Sequence, residues 1–288
     1  MPIAIITFGF DPTVRLGPEL AVRWQTIALA AVIAVVLAWS GVVARRVGLR
    51  ADDLLSIAIG AVPGAVVVGR LAWIAAHPGF VPPNVWLWLD PGIGGFDLAG
   101  AVIGGIATGA LIAALLGAPV GRWAHVLTVP LLLALGGGKL VMILGGGGQG
   151  LPTDAEWATA FSGPGPWGSL AASVPSHPSQ AYEGIGALIL ALVLMVGFGV
   201  GAAGRPDGRL LMGAVAGWAL IRAAVSVTWR DPVVAGPFGT AGWLAVVVCV
   251  FSMAAAAVLV VLGQRARTAR RRAEHDLEWP DPATRPQF

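Results

Sequence analysis

The chain has 288 residues, of which 57% are hydrophobic and 11% charged, with a formal net charge of +3. Soluble globular domains carry about 25% charged residues, so this balance excludes an ordinary soluble enzyme and predicts an integral membrane protein. The positive excess sits in short loops and a tail, which fits membrane topology and contact with anionic lipid and gives no reason to expect a nucleic-acid partner.

Taken in order, seven apolar runs are long enough to cross a bilayer, which takes about 20 helical residues. They lie near 25–44, 54–76, 96–116, 123–143, 184–201, 210–229 and 241–262. The expected fold is all-α, one transmembrane domain over 1–262 followed by a polar, basic tail, 263–288. The first run is followed by six more and reads as a span, not as a cleavable signal peptide. The fifth is short and ends in GFGVGAAG, which suits a tilted or interrupted helix. The 41 glycines suit close helix packing in lipid. Cys249, alone in the seventh run, has no partner for a disulfide and reads as a small core residue.

Charge orients the set. Arg45, Arg46 and Arg50 follow the first run, Arg122 the third, Arg205 and Arg209 the fifth, and Arg265, Arg267, Arg270, Arg271 and Arg272 the seventh. The opposite connections, 77–93 and 144–183, contain neither Lys nor Arg. Positive loops stay inside, so the amino terminus is expected outside and the carboxyl terminus in the cytoplasm. The outer connection 144–183 is long and dense in Gly and Pro, the profile of a lid or binding loop.

Three basic residues fall inside the runs: Arg70, Lys139 and Arg222. A cation within the bilayer is costly and points to a functional site, although a long stem can carry it to the interface. All three sit at matched depth in the outer half, and the outer acids Asp90, Asp97 and Glu183 are few. The expectation is a shared cationic pocket with room for an anion, and a lipid phosphate suits it, since guanidinium groups match phosphate oxygens. The glycines beside Arg70 and Lys139 are expected to let backbone approach that anion. At the mouth of the fifth run stands SHPSQAYEG, holding the only Tyr of the chain. Pro178 and Ser179 read as a helix start with Glu183 in an approximate capping arrangement. His177, Gln180 and Glu183 exceed what a cap needs.

An ordered series of segments resembles prolipoprotein diacylglyceryl transferase over about residues 15–262. HPSQAYE at 177–183 is similar to the family's HPSQLYE, VGRLAW at 68–73 to GRxGY, and GGFDLAGAVIGG at 94–105 to GGMSFHGGLIGG. PLLLALGGGKLVMILGGGGQG at 130–150 resembles the signature GRxGNFxNxExxG, and GWALIRAAVSVTWRDP at 217–232 resembles YGxxRFxxExxRxPD. The resemblance implies transfer of a diacylglyceryl group from phosphatidylglycerol to the lipobox Cys thiol of a prolipoprotein, releasing glycerol phosphate, in a bacterial inner membrane. It implies no cofactor and no metal. The signal peptide with its lipobox Cys and the membrane lipids are the partners.

Carried onto this chain, the resemblance makes Arg222 and Lys139 catalytic cations, with His177 the one outer His placed to deprotonate the thiol. Arg70, Asp97, Gln180, Tyr182, Glu183, Trp218 and Arg230 fall at substrate-binding positions, Asp97 as partner of a clamp cation. Several positions depart from the family pattern. Lys139 replaces the signature Arg, Ala99 a His, Met142 and Gly145 two Asn, and Gly147 and Ser226 two Glu. Gln25 and Trp218 stand where the pattern has Tyr, and Arg230 lies one residue later than its second Arg. These losses support an alternative, a non-catalytic relative that binds phospholipid or lipoprotein precursors.

Overall fold

The computed structural model describes residues 5–17, 20–80, 84–90, 94–201 and 204–278. Its elements, in chain order, begin with strands β1 (Ile6–Gly9), β2 (Thr13–Arg15) and β3 (Ala21–Arg23). Helices α1 (Trp24–Arg46), α2 (Ala51–Ala76), α3 (Leu98–Leu115) and α4 (Val120–Val141) follow. Strand β4 (Thr159–Ser162) precedes α5 (Ser179–Gly199) and α6 (Arg209–Ser226). Strands β5 (Val233–Ala235) and β6 (Phe238–Gly239) lead into α7 (Thr240–Glu278). The seven helices are long and apolar enough to cross a membrane, and they match the seven expected runs.

Large apolar side chains cover the outside of the bundle, among them Val35, Leu55, Ile59, Leu111 and Ile189, all exposed. In lipid that is the satisfied state. The interior packs small and medium residues around Trp218, with Ala99, Leu132, Ala187, Val215 and Ala219 buried beside it. Helices α2 and α3 approach most closely. A Cβ at Gly104 would overlap the Gly64 carbonyl, and one at Gly64 would overlap the Gly104 carbonyl and the Thr108 side chain. Small residues spaced four apart are what permit such backbone contact between helices. Gly69 belongs to the same seam, since a Cβ there would lie 3.0 Å from Ala101 Cβ. Gly136 abuts the Gly184 carbonyl of α5 at the corresponding distance of 3.0 Å, and Gly137 abuts Val32 of α1. The glycines beside Arg70 and Lys139 therefore bring helices together, where the sequence suggested approach to an anion.

The helices alternate in direction, so the connections divide between two faces. On one, Arg122 Nη2 donates to the Val47 carbonyl, and Gly121 packs against Pro206 and Asp207; this face gathers the arginine-bearing loops. The other carries residues 5–17, 20–23, 142–178 and 227–239. There β1 pairs in parallel with β4, Ile6 opposite Thr159 and Gly9 opposite Ser162, and Leu151 N donates to Thr228 O at 2.7 Å. Two antiparallel hairpins, β2–β3 and β5–β6, complete this face.

The helical expectation holds, with three two-stranded sheets added that no alternating pattern announced. The connection 144–183 is ordered by strand pairing and by backbone bonds such as Phe161 N to Ala172 O at 2.8 Å. The basic tail was expected to begin at 263. Through it α7 runs on unbroken to Glu278, roughly 58 Å at 1.5 Å per residue and well beyond a 30 Å hydrocarbon layer. Residues 279–288 of that tail lie outside the described residues, as do parts of 77–93.

Candidate functional site

Four helices deliver charge to one place inside the bundle. Arg70, Lys139 and Arg222 all lie within two turns of the loop-face ends of their helices, which is the matched depth read from the sequence. Helix α5 begins at Ser179 with no side-chain cap. Ser179 Oγ instead meets Thr228 Oγ1 at 2.6 Å, tying α5 to the end of α6. Glu183 likewise forms no capping box. It turns into the bundle, fully buried, and takes Arg222 Nη1 at 3.0 and 3.1 Å on its two oxygens. Lys139 Nζ reaches the same carboxylate at 2.9 Å.

Asp97 completes the cluster from α3. It is the N-cap of that helix, its Oδ1 accepting from Gly100 N at 2.9 Å. Its Oδ2 accepts from Arg222 Nη2 at 3.2 Å. Arg222 therefore binds one carboxylate on each terminal nitrogen and bridges α3, α5 and α6. Two cations and two carboxylates cancel formally, which is what allows four charges to be buried together, since an uncompensated one is far more costly. The expectation of cations short of partners is corrected here. Arg222 and Lys139 are already neutralised by Glu183 and Asp97, and the donors left over on the three cations are Arg222 Nε and Arg70 Nη2, each buried with no hydrogen-bond partner among the described residues.

Trp229, which the sequence reading did not single out, roofs the cluster. Its ring centroid lies 4.6 Å from the Arg222 guanidinium carbon and 5.9 Å from Lys139 Nζ, within cation–π range of both. Trp218, one helical turn before Arg222, is wholly buried at 5.9 Å from the same guanidinium and packs in the apolar core. Only the pairing of an intramembrane cation with a nearby aromatic could have drawn attention to Trp229, and a chain with 12 Trp offers many such pairs.

Arg70 is fully buried and differently employed. Its Nε donates to Trp88 O at 2.6 Å and its Nη1 to Gly95 O at 2.9 Å, with the guanidinium over the Trp73 ring. It pins the segment leading into α3. The same segment serves both cations, Gly95 accepting from Arg70 and Asp97 from Arg222. A Cβ at Gly94, where φ is +83°, would lie 2.9 Å from Arg70 Nη1, so only glycine fits the turn around this guanidinium.

The remaining residues of the HPSQAYE stretch divide. His177 Nδ1 lies 3.2 Å from the Tyr182 hydroxyl oxygen, which also accepts from Trp157 Nε1 at 2.7 Å. Backbone bonds to Gly150 and Leu151 hold His177 on both sides. Gln180 points elsewhere, 2% exposed, with neither amide atom bonded among the described residues. Arg230, expected to bind substrate, is given over to the loop: its Nε donates to Gly150 O at 2.6 Å and its Nη2 to Ser176 Oγ at 2.9 Å. The positions that depart from the resemblance are filled by packing. Gln25 Oε1 occupies the space a Cβ at Gly145 would need, Ala99 is wholly buried, and Ser226 bonds its own helix at Ala223 O.

Seven membrane-length helices closing on a compensated cluster of charges, roofed by an aromatic ring, define a multi-pass membrane protein. The chain belongs to the prolipoprotein diacylglyceryl transferase family, whose model matches residues 12–261. It is 31% identical over 262 residues to the phosphatidylglycerol–prolipoprotein diacylglyceryl transferase of Gluconacetobacter diazotrophicus, covering 83% of this chain and 86% of that protein. Its identity to the protein of the same name from Trichormus variabilis is 25% over 248 residues, covering 82% and 85%. To the one from Clostridioides difficile it is 26% over 153 residues, covering 53% and 58%.

Proposed function

We propose that this chain transfers the diacylglyceryl group of phosphatidylglycerol to the lipobox Cys thiol of a prolipoprotein, with its loop face outward in a bacterial plasma membrane. The observation that carries the reading is the buried junction of Arg222 and Lys139 on Glu183, near the loop-face ends of α4, α5 and α6. Family membership supports the same reaction.

In this reaction the sulfur attacks the glyceryl carbon that carries the phosphate oxygen. The new S–C bond forms as the C–O bond breaks, and glycerol phosphate leaves with the electron pair. A phosphodiester with one negative charge becomes a monoester with a second, so charge develops on the leaving group. Fixed cations aimed at that position favour the transition state over the ground state. Arg222 offers its unused Nε, and Lys139 supplies a second positive charge. Glu183 and Asp97 hold both in place before lipid arrives. Arg70 and Trp218 support the walls, and Arg230 fixes the loop over them.

The thiol must lose its proton, because thiolate is the nucleophile. His177 takes that role on the loop side. With Nδ1–H donating to the Tyr182 oxygen, Nε2 is the free acceptor, and the imidazolium formed keeps the same bond. Trp157 holds Tyr182 by donating to it, and that orients the ring pair.

The direct test is purified protein in phosphatidylglycerol vesicles with a lipobox peptide. Thioether formation, read as the mass gain of the peptide, is the expected result. Folded protein that yields no modified peptide overturns the reading.

A further inference from the structure

Among the buried polar side chains that the transfer reaction does not use, Gln180 lies nearest in sequence to Glu183. Gln180 stands in the first turn of α5 at 2% exposure, and both Oε1 and Nε2 lack a hydrogen-bond partner among the described residues. Its backbone N–H reaches Gly148 O at 3.3 Å, so the side chain is not needed to anchor the turn. A primary amide buried without partners carries a full desolvation cost on each atom. Filling the position with an apolar side chain would avoid that cost.

The amide is well placed to have a use. Residues three apart share a helix face, so Gln180 lies on the face that presents Glu183 to Arg222 and Lys139. It stands about 4.5 Å further toward the loop face, the rise of three residues. A lipid phosphate at the cation cluster would place its headgroup substituent on that side. A carbonyl acceptor beside an N–H donor matches a group that both donates and accepts, as hydroxyls do. An ammonium donates only, and an alkyl group does neither, so either would leave part of the amide unpaired.

The geometry points to Gln180 as the headgroup-selecting residue, its amide bonding the free hydroxyls of the glycerol headgroup on a phospholipid whose phosphate sits at Arg222 and Lys139. This assignment rests on the transferase reading for its substrate class, and it adds the residue that tells a polyol headgroup from others. Nonpolar headgroups of the same size and phosphate charge are discriminated against because they leave the amide unsatisfied.

The test compares phosphatidylglycerol with phosphatidylpropanol, which keeps the phosphate and loses the headgroup hydroxyls. Wild type and Gln180→Met are reconstituted in vesicles of each lipid, and kcat/KM for thioether formation is measured. The wild-type preference for the glycerol lipid is expected to be at least about tenfold, and the variant's close to one. A wild type with no preference, or a variant that keeps the ratio while both rates fall, overturns the assignment. Thermal melting in lipid-free detergent adds an independent reading. Gln180→Met is expected to melt at or above wild type, because the removed amide has no protein partner, whereas a clear fall shows a structural bond and overturns the proposal. Stabilisation by each lipid separates the two readings. If wild type forms no thioether yet is stabilised more by phosphatidylglycerol than by phosphatidylpropanol, and Gln180→Met abolishes that difference, the transfer reaction fails and the headgroup assignment stands.

Discussion

The α2–α3 seam and the junction of α4, α5 and α6 join helices by opposite means. Along the seam, glycines 64, 69, 100 and 104 let two backbones touch, and attraction comes from contact over a long surface. At the junction, the contact that counts is a set of four charged groups converging on Arg222 and Glu183. The first arrangement depends on shape and tolerates no added atom. The second depends on charge balance and can exchange a partner, since an incoming phosphate can compete with Glu183 for a cation. The seam supplies a frame, and through Asp97 at the start of α3 it positions one corner of the junction.

Arg222→Ala should break the comparison most severely on the junction side. It removes the bridge among three helices and leaves Asp97 buried without its cation, so peptide lipidation should fall by about 10³-fold or more, and the fold should weaken by about 3–5 kcal/mol. Unchanged lipoprotein modification in a transferase-depleted bacterium would remove Arg222 from the mechanism. His177→Ala should lower kcat by about 10²-fold while melting stays near wild type. A normal rate returns that residue to the loop architecture alone.

Gly104→Ala tests the seam. Forcing a methyl group onto the Gly64 carbonyl should destabilise by about 1–3 kcal/mol, read by melting in detergent, with the rate per folded molecule largely kept. A selective loss of activity at full stability would show that the seam does more than frame the site. Trp229→Leu removes the roof and should lower kcat/KM about fivefold, equivalent to about 1 kcal/mol of cation–π contact. Lys139→Arg keeps the charge against Glu183 and should hold activity within about threefold. A larger loss would show that the compact ammonium is required.

The spans were legible because a bilayer imposes length and hydropathy on each helix separately. Expected runs such as 54–76 and 123–143 meet Ala51–Ala76 and Val120–Val141 to within a few residues. The depth of Arg70, Lys139 and Arg222 followed from the same local reading. Their partners did not, because which carboxylate faces which cation depends on how helices are arranged around the bundle. Arg70 and Arg222 look alike in sequence, yet one pins backbone carbonyls and the other joins two acids. Ser179 has the look of a cap, and the end of α6 claims its hydroxyl instead. The β1–β4 pair joins residues too distant for any pattern within either segment to reveal.

That pair has a consequence for biosynthesis. Strand β1 emerges from the ribosome about 150 residues before β4, which at 5–20 residues per second is a delay of roughly 8–30 s. During that interval four helices enter the bilayer while the first strand remains single. Closure of the loop-face cap is thus a late event, and protection of Ile6–Gly9 from protease would serve as a clock for completed insertion.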